Sequence, residues 1–289
     1  MNILKVINNN IVSAIDDNNV EIIVMGKGLG FHAKAGAPIS EDRIEKVFRL
    51  NDQSETGKFK KLLEAMPMKH IEISVEIIEY AKSVLNKRMN PNIYITLTDH
   101  IDFAISRMKD GMKFSNPLLW ETKAFYPSEY LIGEYAVGLI RKELGVQFNQ
   151  DEAASIALHL VNAEYNTDMN NTMRITTTIG EVIQIVEEHI GMKLDEESLN
   201  YSRLITHLKF LVQRAFAGQV LDDSIEELAL MIKSKYPSEY ECSKKIVEYI
   251  KSKYEDCRIS QDEMTYLAVH IRRLSAELEK FNDENEERK

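Results

Sequence analysis

The chain has 289 residues, of which 44% are hydrophobic and 28% are charged. This length exceeds one small core and predicts two or three domains. No apolar run is long enough to cross a bilayer, and the Asn triplet at 8–10 interrupts the apolar stretch that a signal peptide needs. The two cysteines, Cys242 and Cys257, fit neither a disulfide framework nor a CxxC metal motif. We therefore expect a cytoplasmic protein without membrane insertion, disulfides or cofactor.

The charge distribution restricts how this chain could bind a nucleic acid. A net charge of −10 argues against binding through a basic field. Residues 1–50 nevertheless contain as many basic as acidic side chains, so the excess negative charge lies in 51–289. An N-terminal nucleic-acid module would have to depend on shape and base contacts, with few cations.

The first 38 residues alternate short β-type runs (ILKVI, IVSAI, VEIIVM) with Asn-, Asp- and Gly-rich turns. This pattern predicts a small antiparallel sheet. For 40–50 two structures compete, a short helix capped by Ser40 or a closing strand in KVFRL, and the strand is favoured. Because so small a sheet buries little apolar area, we expect it to pair with a second copy through an exposed face.

Beyond residue 50 the sequence turns polar and then helical. NDQSETGKFKK predicts a linker leading into helix, helical periodicity continues to about Leu278, and the charged ending predicts a frayed, solvated tail. The predicted fold is therefore multidomain, a small antiparallel β-sheet domain followed by two all-α helical-bundle domains. The predicted segments are 1–55, a linker at 56–69, helical domains at 70–170 and 171–279, and the tail at 280–289.

The two helical domains follow from a diverged internal repeat. YPSEY occurs at 126–130 and again at 236–240. QDEAASIALHL (150–160) matches QDEMTYLAVHI (261–271), and DHIDFAISRMKDG (99–111) matches THLKFLVQRAFAG (206–218).

Four of the seven histidines occupy equivalent places in the two copies, namely His100, His159, His207 and His270. Each has apolar residues three before and four after it, which places it on an apolar helix face. A hydrogen-bonded structural histidine is the ordinary interpretation of such a position. The alternative is a phosphoryl acceptor, because neutral imidazole is a nucleophile and a phosphoryl group would disturb an apolar seam. Asp99 precedes His100 and could orient its ring, whereas Thr206 precedes His207.

A metal site is a competing interpretation, with Asp99, Asp102 and the paired histidines as ligands in a metal-dependent phosphohydrolase. It is disfavoured because the chain has no HExxH motif and no His-Asp pair in the order such enzymes use.

The loop GKGLGFH (26–32) lacks the spacing of a phosphate-binding loop and is not part of a βαβ unit. Its glycines would allow close backbone approach, Lys27 could contact a phosphate, and Phe31 and His32 could stack on bases. The turn asparagines at 8–10 could read base edges, as proteins do at unpaired RNA bases. A structural hairpin with glycine turns is the alternative.

At these residues the chain resembles the BglG/SacY family of transcriptional antiterminators, especially its β-glucoside-responsive members. The resemblance is carried by KVINNN, VMGKGLGF, RIEKVF, LTDHI, LLWETK, ALHLVNAE, THLKF and DEMTYLAVH. It implies a non-enzymatic homodimer that binds a hairpin in nascent mRNA, prevents the terminator from forming, and is regulated by histidine phosphorylation. It also implies that the helical domains are regulation domains of the phosphoenolpyruvate:sugar phosphotransferase system (PTS).

The resemblance implies roles for individual residues. The resemblance implies RNA contacts by Lys5, Asn10, Gly26, Lys27, Gly28, Phe31 and His32. The turn residue Asn8 is added to this set because its amide could read a base edge. The implied phosphorylation sites are His100, His159, His207 and His270, with Asp99 in support. The implied phosphoryl donor for His100 and His159 is a sugar-specific PTS permease, and this phosphorylation silences the protein. The implied donor for His207 and His270 is the carrier protein HPr, and this phosphorylation activates it. A DNA-binding activator with the same regulatory domains is the remaining alternative and would require an N-terminal helix-turn-helix.

Overall fold

The structure is a computed structural model that describes residues 1–50, 53–220, 226–254 and 257–286, with side chains described as far as residue 277. The chain forms two compact units, Met1–Thr172 and Met173–Lys289. None of the helices in the described ranges is both long and apolar enough to span a membrane.

Unit 1 begins with a four-stranded antiparallel sheet in the order β1-β2-β3-β4. The strands are β1 Asn2–Val6, β2 Ile11–Ile15, β3 Glu21–Met25 and β4 Lys46–Phe48. The three predicted β-type runs and the favoured closing strand are confirmed. A short 3₁₀ turn, Glu41–Arg43, precedes β4, so the ambiguous stretch contains both a helical turn and a strand.

Both faces of this sheet are covered within the chain. On one face Val12, Ala14, Ile22 and Val24 pack against the loop residue Leu29 and its neighbours. The other face forms one core with the helices that follow, through the buried side chains Ile11, Ile23, Met25 and Phe48. The sequence predicted that an exposed face of the sheet would pair with a second copy. Helices of the same chain already cover that face. The homodimer stays a prediction that depends on the resemblance.

The helices of unit 1 are α1 Gln53–Ala65, α2 Met68–Leu85, α3 Ile93–Lys109, α4 Leu119–Phe125, α5 Pro127–Leu144 and α6 Gln150–Tyr165. Local sequence explains several of their ends. Pro127 occupies the first turn of α5, where its missing N–H costs no hydrogen bond. The Asn149 side chain caps α6 by accepting from the Glu152 backbone N–H.

The stretch predicted as a linker is largely the helix α1. Phe59 and Leu63 are one helical turn apart and both are buried against the sheet and the helices. The Phe48 ring lies 5.3 Å from the Phe59 ring in an edge-on contact. Lys60 Nζ lies 2.7 Å from a carboxylate oxygen of Glu21, which ties α1 to β3. Polar composition alone did not reveal that this segment packs.

The remaining helices are α7 Met169–Ile190, which begins just before the end of unit 1, and then α8 Leu199–Phe216, α9 Glu226–Lys235, α10 Pro237–Lys253 and α11 Gln261–Glu286. They repeat the order of α2 to α6, with YPSEY opening α5 and α10. The backbone of α11 is helical to Glu286, where the sequence predicted fraying after Leu278, because no glycine or proline interrupts it there. Residues 287–289 of the predicted tail lie outside the described residues, as do 51–52 at the end of the predicted segment 1–55.

Candidate functional site

Two loops of the sheet domain are held side by side by backbone hydrogen bonds. The Gly26 N–H donates to the Asn10 carbonyl at 2.9 Å, and the Gly30 N–H donates to the Asn9 carbonyl at 2.9 Å. The Asn10 side chain adds a third link, since its Oδ1 accepts from the Gly28 N–H at 2.9 Å. The β1–β2 turn and the 26–32 loop therefore form one surface, called here the loop face.

Glycine is required at two points of the loop face. A Cβ on Gly26 would lie 1.8 Å from the Arg43 carbonyl oxygen, and one on Gly30 would lie 2.0 Å from the Asn8 carbonyl oxygen. Neither distance is sterically possible, so any side chain there would push the two backbone segments apart. The sequence predicted that another backbone would approach these glycines closely. At Gly26 and Gly30 that backbone belongs to the chain itself.

The aromatic and basic side chains of the loop face point into solvent. Phe31 is 62% exposed, and its ring centroid lies 4.1 Å from that of His32. His32 has a left-handed backbone at φ 57°, which turns the loop at this point. Lys27 is exposed beside them. An exposed ring pair beside a cation is suited to stacking on an unpaired base.

The asparagines have a more structural position than the sequence suggested. Asn8 Oδ1 accepts from the Asn10 N–H at 2.9 Å, and Asn10 Oδ1 is occupied by Gly28. Both side-chain oxygens therefore hold the loop face in shape. Lys5, on β1, has its ammonium 2.5 Å from a Glu64 carboxylate oxygen of α1.

The structure brings the four repeated histidines together as two pairs. His100 on α3 faces His159 on α6 with ring centroids 4.6 Å apart, and His207 on α8 faces His270 on α11 at 4.9 Å. The interplanar angles are 38° and 36°. The two copies of the repeat therefore build nearly the same arrangement twice.

Each pair has a buried glutamate and an arginine beside it. Glu152 Oε2 lies 3.3 Å from His100 Nε2, and the other oxygen of Glu152 accepts from the Arg107 guanidinium. In the second copy Glu263 Oε2 lies 3.6 Å from His207 Nε2. Arg214 donates to the Glu263 carboxylate at 2.5 and 2.8 Å.

Burial keeps these imidazoles neutral. It lowers the pKa of His100 to about 4, with the Arg107 charge adding to the effect and the Asp99 charge opposing it. Burial, then the neighbouring His270 and Arg214, lower the pKa of His207 to about 3. A protonated ring would form an ion pair with the glutamate at these distances, but the neutral ring does not. A neutral ring keeps a nitrogen lone pair for attack on phosphorus.

The pKa values of the other two paired histidines, His159 and His270, are lowered as well. Burial, followed by the charge of His100, lowers the pKa of His159. Burial, followed by the charges of Arg273 and Arg203, lowers the pKa of His270.

Three ring nitrogens of the two pairs are buried without a hydrogen-bond partner. They are Nε2 of His100, Nε2 of His207 and Nδ1 of His159. His207 and His270 also line an open surface cavity of about 430 Å³. Asp99 is exposed, and among the described residues the carboxylate within 4 Å of a His100 ring nitrogen is that of Glu152.

Two of the other three histidines, His70 and His189, have structural partners. His70 Nδ1 lies 2.6 Å from Asp102 Oδ1, so Asp102, considered above as a metal ligand, is paired with a histidine. His189 stands at the end of α7, before Gly191, with its Nε2 3.0 Å from the Ser238 hydroxyl. Among the described residues there is no group of three or more His, Cys, Asp or Glu side chains arranged to hold a metal ion.

Sequence reasoning missed the glutamates and arginines of the two pairs. A signal for them existed. Glu152 and Glu263 occupy the same place in the repeated QDE segments, and Arg107 and Arg214 the same place after the first histidines. Charged side chains at matching positions within repeated apolar segments indicate a paired, buried function.

Comparisons with known proteins place these features in a family. The CAT RNA binding domain model matches residues 1–57, and the PRD domain model matches residues 75–163 and 180–274. The crystal structure of GlcT CAT-PRDI superposes with a TM-score of 0.52 at 37% identity, covering 56% of this chain and 97% of that one.

Curated relatives match over nearly their whole length. The transcription antiterminator LicT of Bacillus subtilis is 46% identical over 95% of this chain and 99% of its own. The beta-glucoside operon antiterminator of Dickeya chrysanthemi is 38% identical over 96% of this chain and 98% of its own. Both repeats and the N-terminal sheet fall within the matched ranges. The chain therefore belongs to the family of transcription antiterminators that combine a CAT RNA-binding domain with two PRD domains.

Proposed function

We propose that this chain is an RNA-binding transcriptional antiterminator of a sugar-utilisation operon, in which β-glucosides are the sugar class. The observation that carries the proposal is the similarity to two named antiterminators over at least 95% of the chain. The protein acts as a regulator and not as an enzyme. It works in the cytoplasm, where nascent mRNA is made.

The loop face is the proposed RNA-binding surface. Phe31 and His32 supply exposed rings for stacking, and Lys27 supplies a cation for a phosphate. Gly28 lets the RNA backbone come close to the loop, because no atom of the chain lies within 4 Å of the place where its Cβ would be. The bound hairpin in nascent mRNA cannot refold into the overlapping terminator, so transcription continues.

The two histidine pairs are the proposed regulatory sites. A ring nitrogen lone pair forms a bond to phosphorus while the bond between phosphorus and the donor breaks, and the donor leaves with its electron pair. Because three of the acceptor nitrogens are buried, the seam between the helices must open for this transfer. Phosphorylation thus becomes coupled to a change of helix packing.

The proposed donors differ between the pairs. A sugar-specific PTS permease phosphorylates His100 and His159 and silences the protein. HPr phosphorylates His207 and His270 and favours the closed, active homodimer. Mutating all four histidines to alanine should therefore leave antitermination insensitive to the sugar.

The first test is RNA binding by the full chain. Phe31→Ala should weaken binding to the hairpin upstream of its own operon by about 10-fold or more, since base–aromatic stacking contributes roughly 1–3 kcal/mol per base. Fluorescence anisotropy at near-physiological salt measures the affinity.

Two controls make this test specific. Val20→Ala removes another apolar side chain, 52% exposed, from the same domain and should leave the affinity unchanged. A hairpin with scrambled loop bases should bind weakly to the parent protein. Equal affinity of Phe31→Ala and parent would remove the loop face from the RNA interface.

A further inference from the structure

The two histidine pairs share their glutamate and arginine but differ in the charge around them. Three positions of the repeat contribute to this difference. Thr96 of the first copy corresponds to Arg203 of the second, Asp99 corresponds to Thr206, and Asn162 corresponds to Arg273. The second pair has thus gained two cations, and it lacks the anion that precedes His100.

Helix geometry places both of these arginines beside the second pair. Arg203 lies four residues before His207 on α8, and Arg273 lies three residues after His270 on α11. Residues at these spacings are neighbours on a helix surface. Arg203 also lines the same open cavity as the two histidines. Burial lowers the pKa of His270 most, and the charges of Arg273 and Arg203 lower it further, as expected for guanidinium groups close to its ring.

Both guanidinium groups are available to an anion. Within the described residues neither comes within ion-pair distance of a carboxylate, and Arg203 makes only a long hydrogen bond of 3.4 Å to the Asn200 side chain. Arg214, by contrast, is held by Glu263 at 2.5 Å. Because Arg214 balances the Glu263 carboxylate, the two further arginines beside two neutral histidines give this site a net positive charge.

We propose that Arg203 and Arg273 bind the phosphoryl group carried by His207 or His270, and that the first pair lacks such a clamp. A phosphohistidine carries up to two negative charges and oxygens that match the guanidinium fork. At the first pair the neighbouring arginine, Arg107, is held by Glu152, and Asp99 repels an added anion. Phosphorylation therefore tightens unit 2, while the same modification loosens unit 1.

This inference rests on the proposed function, so the test uses two donors. The full chain is treated with phosphoramidate, a small phosphoryl donor that needs no protein partner, and separately with phosphoenolpyruvate and purified PTS carrier proteins. Site-resolved mass spectrometry identifies the modified histidines. Phosphorus NMR titration gives the pKa of the phosphoryl group, and differential scanning fluorimetry gives the shift in melting temperature on phosphorylation.

The double variant Arg203→Gln with Arg273→Gln should lose the melting-temperature gain of second-pair phosphorylation. The pKa of the phosphoryl group should rise by about one unit, because the neighbouring cations that favour the dianion are gone. Arg203→Lys with Arg273→Lys keeps the charge and should restore most of both effects. Arg258→Gln, which removes an exposed arginine elsewhere in unit 2, should match the parent.

The outcomes separate the two claims. A double glutamine variant with the parent's phosphoryl pKa and melting-temperature gain overturns the clamp and leaves the proposed function intact. If neither donor phosphorylates any of the four histidines in the parent chain, the regulatory part of the proposed function fails and the clamp fails with it. As a converse test, Thr96→Arg with Asn162→Arg should make first-pair phosphorylation less destabilising.

Discussion

At the scale of single residues, the paired histidines must remain uncharged, and Gly26 and Gly30 must have no side chain. The neutral state follows from burial between helices, since a charged ring would lose its hydration there. Glycine is required at these two positions because carbonyl oxygens occupy the space that a Cβ would need. Each requirement can be tested with one substitution.

The pH dependence of stability tests the neutral histidines. The pKa of His207 falls from 6.5 in the unfolded chain to about 3 in the folded one. Between these values the unfolded chain binds a proton that the folded chain does not. The free energy of unfolding is therefore fully retained above about pH 6.5 and falls as the pH drops towards 3.

His207→Gln should flatten this slope by up to about 1.4 kcal/mol per pH unit. Urea titrations at several pH values from 4.5 to 7.5 measure it. His32→Gln, which removes an exposed histidine, is the control for losing an imidazole. An unchanged slope in His207→Gln would mean that the folded ring titrates as it does in the unfolded chain.

Gly30→Ala tests the loop face. The added methyl group would meet the Asn8 carbonyl at 2.0 Å, so we expect a loss of about 2–3 kcal/mol in stability together with weaker hairpin binding. Gly57→Ala is the matched control, because its added Cβ meets no atom within 4 Å on the helix α1. That variant should be about 0.5–1 kcal/mol more stable than the parent. Denaturant unfolding and anisotropy measure both, and equal behaviour of the two variants would contradict the steric argument.

At the scale of secondary-structure elements, contacts between helices and sheet determine what each part can do. The helix α1 joins β3 and β4 to the rest of unit 1 through Phe59 and Leu63. A shift of α1 would uncover one face of the sheet. The salt-bridged glutamates have a similar role between helices, since Glu152 links α6 to α3 and Glu263 links α11 to α8.

A double-mutant cycle tests the α3–α6 link. Arg107→Leu leaves the Glu152 carboxylate, 4% exposed, without its cation, and should cost about 3–5 kcal/mol. Adding Glu152→Gln removes the uncompensated charge and should recover at least half of that loss. Urea unfolding of the two single variants and the double variant measures the coupling. Additive losses would show that the two side chains do not interact.

At the scale of the whole molecule, negative charge is concentrated away from the RNA-binding domain. The chain carries a net charge of −10, yet residues 1–50 are balanced. Lys5 is also paired with Glu64, which leaves few cations for phosphates. Affinity for RNA must therefore come mainly from stacking and shape.

Hairpin binding should accordingly depend weakly on salt. We expect the affinity to fall by roughly tenfold between 50 and 200 mM salt, far less than the thousandfold or more of a binder with many phosphate contacts. Lys27→Gln should reduce the slope further. A slope several times steeper would require cations outside the loop face to contact the RNA.

Local sequence was sufficient for the strands, the helical repeat and the position of the histidines on apolar helix faces. These features depend on residues a few positions apart, where period, turn residues and caps act directly. It was also sufficient for the family, because ordered motifs span the chain. It was not sufficient for α1, whose polar composition suggested a linker.

Only the tertiary structure decided which side chains meet. Glu152 and Arg107 are 45 residues apart, and Arg203 and Arg273 approach His270 from different helices. The covering of the sheet by α1 and its neighbours is likewise a long-range contact. The physical reason is that burial and Coulomb interactions depend on distance in space, and the helix packing that sets those distances is encoded by no single segment.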